Sequence, residues 1–149
     1  QSYVINRIAN ADVKLGRLDD ALAWLNEAVE KLPADVDILT LRCWTRAVLR
    51  RDTDKAMEDC NSVLRPNPQF PWALDARGLL HYQLGQYDAA IADCDATLAV
   101  EPRMDTALYV RGLAKLKKND VSGGNADIAA AKDMDADDVA EYVGFGIKP

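Results

Sequence analysis

Residues 73–102 read ALDARGLLHYQLGQYDAAIADCDATLAVEP: two helical stretches joined by a turn at Gly85 and closed by Pro102. In the first stretch Leu74, Leu80 and Leu84 fall at helical spacing around Gly78. The closing proline returns at Pro33, Pro68 and Pro102, spaced by 35 and then 34 residues. A small residue keeps step with it at Ala21, Ala56, Ala90 and Gly124. Self-similarity at that period marks a solenoid of stacked helical hairpins.

Four units of 34 residues follow, at 2–35, 37–70, 71–104 and 105–138, with Val36 taken as one inserted residue. In that register position 8 reads Ala9, Trp44, Gly78 and Gly112, and position 24 reads Leu25, Cys60, Cys94 and Ile128. Small residues belong where two helices cross, because a large side chain would hold them apart. Trp44 at a crossing position therefore predicts local spreading of the second hairpin. The turns are marked by Gly16, Gly85, Asn119 and the polar Arg51–Asp54 stretch. Asp19, Asp54, Asp88 and Ser122 are expected to cap the second helices, and the prolines to end them. The stretch DDVAEYVGFGIKP predicts a short capping helix at about 137–144, its stripe of Val139, Tyr142 and Val143 covering the fourth unit.

The pattern of small crossing residues, a bulky residue four positions later and a closing proline resembles the tetratricopeptide repeat over residues 2–138. The expected fold is all-α: a right-handed α-solenoid of four helical hairpins plus a C-terminal capping helix, making one domain over residues 1–149.

The 149 residues are 49% apolar with a formal net charge of −6, enough for a continuous core. There is no run of 18 apolar residues to span a membrane. Net negative charge opposes nucleic-acid phosphate, so no nucleic acid is expected as a partner; the arginines of the second unit read as a solvated face. Cys43, Cys60 and Cys94 fall at core positions and read as small apolar filler. Cys43 with Cys60, on facing helices of one unit, is the only pair placed to form a bridge. Cysteine usage points to a reducing cytoplasm, while a chain opening at Gln1 reads as a piece of something longer and leaves the periplasm open.

Catalytic signatures are missing from the sequence. No phosphate-binding glycine loop, nucleophile elbow or zinc-protease motif occurs, and the lone His81 reads as core, so neither enzyme activity, cofactor nor metal is expected. Arg77 and Arg111 precede crossing glycines, and Asp59, Asp93 and Asp127 recur in the second helices. Two readings are open: an anion site made by the two arginines, or a ladder of Arg–Asp pairs between stacked helices, which the regular spacing favours.

The resemblance implies that the first helices line a concave groove. It places Asn6, Asn10, Arg42, Thr45, Trp72, Leu79, Tyr82, Tyr109 and Leu113 there, polar at one end and aromatic at the other. A peptide or protein segment with apolar anchors is the implied occupant, and self-association through the groove is a further possibility. The family's carboxylate clamp for acidic chaperone tails is matched only at Asn10; Asn6, Arg42, Trp72 and Ala76 replace its other residues. The implied function is a non-catalytic protein-interaction scaffold. An alternative comes from LRCWTRA (41–47), ALDARG (73–78), YVRGLAKLKKNDVSGGNADIAAAK (109–132) and FGIKP (145–149). These stretches resemble repeat tails that follow a retropepsin-like aspartyl protease domain in bacteria, so the chain could be the C-terminal module of a larger enzyme.

Overall fold

The computed structural model describes residues 11–149. Residues 11–14 are helical (α1). They are followed by α2 (Leu18–Lys31), α3 (Val36–Leu49), α4 (Thr53–Leu64), α5 (Pro71–Gln83), α6 (Tyr87–Val100), α7 (Asp105–Lys117), α8 (Val121–Met134) and α9 (Ala136–Gly144). No strand occurs among the described residues. The pairs α3/α4, α5/α6 and α7/α8 form hairpins, and α3, α5 and α7 stack side by side. This is an all-α solenoid.

The turns within hairpins need a left-handed residue, supplied by Gly16 (φ 72°), Arg50 (φ 53°), Gly85 (φ 74°) and Asn119 (φ 66°). Only part of the expected capping is seen. Asp19, Asp54 and Asp88 lie inside the first turns of α2, α4 and α6, where their charge suits the helix N-terminus, and make no cap hydrogen bond. The side chains that do cap are Asp35, Asp120 and Asp135, which accept from backbone N–H groups of α3, α8 and α9.

One correction concerns register. The first helices α3, α5 and α7 begin at Val36, Pro71 and Asp105, whereas the second helices α4, α6 and α8 begin at Thr53, Tyr87 and Val121. The extra residue of the second unit therefore sits in the turn after Arg50, where Asp52 also takes a positive φ of 46°, and Val36 is the first residue of α3. Cys43, not Trp44, then occupies the crossing place of Gly78 and Gly112. A Cβ on Gly78 would lie 3.2 Å from Cys94 Sγ, and one on Gly112 2.8 Å from Ile128 Cγ1. At the same crossing Cys43 is disulfide-bonded to Cys60, with Cα atoms 5.7 Å apart. Two of the three cysteines are thus a cross-link rather than thiol filler. Cys94 stays a buried free thiol whose pKa burial pushes well up.

The arginines form the ladder. Arg77 donates through Nε and Nη2 to both oxygens of Asp93 at 2.8 Å, and Arg111 does the same to Asp127 at 2.8 Å. Each also reaches back one hairpin, Arg77 to Asn61 and Arg111 to Asp95. Arg42 and Arg46 share Asp59, at 2.7–2.8 Å, and both reach Asn26. His81 belongs to this ladder rather than to the core, with Nε2 3.6 Å from Asp93. Burial works against ionised Asp127, but hydrogen bonds from Arg111 and Lys115 outweigh it and hold its pKa below the usual carboxylate range.

Candidate functional site

The concave side is built by α3, α5 and α7, and the corrected register decides which side chains reach it. Asp37, Thr40 and Trp44 from α3 match Trp72, Asp75 and Leu79 from α5, and Thr106, Tyr109 and Leu113 from α7. Arg42 and Thr45 do not line the groove: Arg42 points to Asp59, and Thr45 is fully buried with its hydroxyl donating to Leu41 O. Both were misplaced by the one-residue shift. Asn6 and Asn10 lie outside the described residues.

Leu79, Tyr82, Tyr109 and Leu113 are core residues, each nearly inaccessible. The chain's own C-terminus covers this end of the groove. The Tyr109 hydroxyl donates to the Ile147 carbonyl at 2.9 Å, and the Trp44 indole N–H donates to Tyr142 Oη at 2.8 Å. Tyr142 packs edge-on against Tyr109 with centroids 6.0 Å apart, and Phe145 lies edge-on to Trp44 at 6.0 Å. The C-terminal segment does pack on α7 and α8, as expected of a cap, but it also crosses the inner face as far as α3. Val139 and Tyr142 are buried as the stripe predicts, whereas Val143 stays exposed.

What remains open is a cavity of about 650 Å³ at the N-terminal ends of α3, α5 and α7, walled on one side by α9. Trp44, Trp72, Phe70 and Tyr142 supply its aromatic surface. Of the aromatic residues expected in the groove, Trp72 alone is exposed, at 56%, its ring 5.6 Å from that of Phe70. The lining is acidic: Asp37, Asp75, Glu101, Asp105, Asp138 and Glu141 face two basic residues, Lys14 and Arg103. Asp75, 8% exposed, accepts a 2.8 Å hydrogen bond from the Thr106 hydroxyl. Burial, with repulsion from Asp105, raises its pKa to about 7 despite that bond. Asp105 is also raised, by burial and then by Asp138; Glu141 is raised by burial and Asp138 and lowered by Lys14.

A family model for the tetratricopeptide repeat matches residues 76–139. Residues 76–139 carry the tetratricopeptide repeat. A thermophilic tetratricopeptide protein of Thermus thermophilus is similar over 99% of this chain and 84% of its own, with TM-score 0.82 and 18% identity. A tetratricopeptide repeat protein of Parabacteroides merdae covers 97% of this chain and 56% of its own, with TM-score 0.68 and 24% identity. The first such domain of Spaghetti (RPAP3), bound to the HSP90 peptide SRMEEVD, covers 78% and 91%, with TM-score 0.66 and 22% identity. At such identities the likeness speaks for the fold alone. No curated protein matches this chain in sequence.

The tetratricopeptide pattern places groove residues by counting from the crossing position, and that count reaches Trp72 and Asp75, which both line the cavity. It did not reach Thr40, Tyr142 or Ile147. The start of α3 at Val36, signalled by Asp35 as a cap, would have moved the second unit into register. The apolar residues Val139, Tyr142, Val143, Phe145 and Ile147 gathered in the C-terminal stretch were the signal for an apolar strap.

Proposed function

We propose that this tetratricopeptide array is a non-catalytic protein-interaction scaffold that takes a peptide or protein segment into the open part of its concave groove. Repeats of this family generally serve as such scaffolds. The observation that carries the reading is the cavity of about 650 Å³, with exposed Trp72 on its wall. A volume of that size suits one or two anchoring side chains. An exposed tryptophan beside a pocket is the kind of residue on which binding energy concentrates. The strapped end of the groove is already filled by Tyr142 and Ile147, so the partner engages the end nearer α3 and the start of α5.

The HSP90 peptide held by the structural neighbour, SRMEEVD, is acidic. This groove carries carboxylates where such a ligand would need cations, so acidic tails are not its ligands. Nucleic acid is disfavoured on the same ground. The test is affinity capture with the wild-type chain and with Trp72→Ala, read by mass spectrometry and then by titration of the captured protein. Loss of roughly 2 kcal/mol of affinity at unchanged thermal stability is expected. Equal affinity for both chains would move binding out of the groove, and capture of the chain itself would make self-association its use.

A further inference from the structure

Among the described residues four buried side-chain atoms have no hydrogen-bond partner: Thr40 Oγ1, Arg46 Nε, Asp75 Oδ1 and Asp105 Oδ2. Three of these, all oxygens, belong to residues lining the one cavity described above. Native structures seldom leave buried acceptors unpaired, and a cluster of them marks a place built for a donor.

The carboxylates around the cavity do not all carry equal weight. Asp37, Asp105 and Asp138 occupy first turns of α3, α7 and α9, where the helix dipole by itself favours an acid. Asp75 has no such explanation. It sits in the second turn of α5 and is 8% exposed, and Thr106 satisfies only one of its oxygens. A carboxyl group in that setting is costly unless a cation or a donor completes it. The described residues offer none: Lys14 and Arg103 line the cavity, yet neither is paired with Asp75. Nor is any set of three His, Cys, Asp or Glu among them arranged to hold a metal ion. The unmet demand is for N–H groups, next to aromatic rings that suit a cation.

We infer that the cavity receives a lysine or arginine side chain of the partner segment, its charged head donating to Asp75 and Asp105 with Thr40 at hand, and its aliphatic stem lying along Trp44, Trp72 and Tyr142. This rests on the groove reading and sharpens it: the partner's anchor is basic and is flanked by apolar residues. Acidic surroundings draw such a segment in, and the buried carboxylate distinguishes a cationic head from an uncharged one.

The experiment is selection of short random peptides displayed on phage against the full 149-residue chain, followed by titration of the selected peptides on wild type, Trp72→Ala, Asp75→Asn and Asp105→Asn. Circular dichroism verifies that each variant is folded. Removing a buried charge at Asp75 does not threaten the fold, and Asp105→Asn gives a second reading at a more accessible carboxyl. Selected peptides should be enriched in Lys or Arg, weaken with salt, and lose roughly tenfold or more in affinity with either carboxyl variant. Replacement of the peptide's basic residue by norleucine should cause a loss of the same size. Peptides that lose binding with Trp72→Ala but are acidic or uncharged, or that bind Asp75→Asn as tightly as wild type, overturn this inference and leave the groove reading standing. Selection of no peptide, or only of peptides indifferent to Trp72→Ala, removes the groove reading and this inference with it.

Discussion

Reduction of the Cys43–Cys60 bridge should destabilise the chain by an amount set by loop length. The bridge joins α3 to α4 across a sequence separation of 17. Closing a loop of that length removes about 10 cal/mol/K of chain entropy from the unfolded state, or about 3 kcal/mol at 25 °C. The folded side changes little, because both sulfurs are fully buried at the helix crossing and remain so as thiols. A loss of that size in a chain this long lowers Tm by roughly 6–12 °C. The assay has two parts. Thiols are titrated in denaturant on protein purified without reductant, where the bridge leaves Cys94 as the one reactive thiol. Guanidinium melts are then compared with and without reductant. Three reactive thiols in the unreduced protein would mean that the bridge does not form. One reactive thiol with a stability change below about 1 kcal/mol would mean that the unfolded-state argument fails here.

Asp59→Ala strands Arg42 and Arg46, the latter side chain only 5% exposed, and should cost about 3 kcal/mol in denaturant melts. Arg77→Ala, at a side chain 25% exposed, should cost about 2 kcal/mol, and a loss below about 0.5 would make that pair an unimportant surface contact. Asp75→Asn should flatten a pH dependence. The folded carboxyl, with a pKa of about 7, keeps its proton while the unfolded one loses it near pH 4, so its contribution falls as pH rises between them. Stability melts should show no difference between variant and wild type below about pH 4 and a gain of up to about 4 kcal/mol for the variant at pH 8. Ile147→Ala, at a residue 1% exposed, should cost about 3 kcal/mol as a core truncation would; a change under about 0.5 in denaturant melts would mean that the C-terminal strap does not hold the groove.

The period of about 34 residues and the closing prolines were enough to read an all-helical solenoid from the chain alone. Each hairpin buries its apolar side against its neighbours, so nearly all contacts that define the fold lie within one or two repeats. The same locality made the Arg–Asp ladder legible, since Arg77–Asp93 and Arg111–Asp127 share one spacing. Sequence could not decide where a single extra residue goes. Placing it at Val36 or after Arg50 keeps Ala56, Cys60 and Pro68 aligned, yet the choice moves every side chain of α3 around its axis by about a third of a turn. That rotation sends Trp44 into the groove, Arg42 out of it, and Cys43 onto Cys60. The C-terminal strap was hidden for another reason. Trp44 and Tyr142 stand 98 positions apart, and nothing local says which apolar surface a short tail will meet. Only once α3, α5 and α7 are stacked is there a concave face whose uncovered Leu79, Tyr109 and Leu113 make folding back the favourable course. The sequence thus determined the repeat and its ladder through short-range packing; the shape and charge of the remaining cavity were decided by tertiary contacts that no periodic pattern encodes.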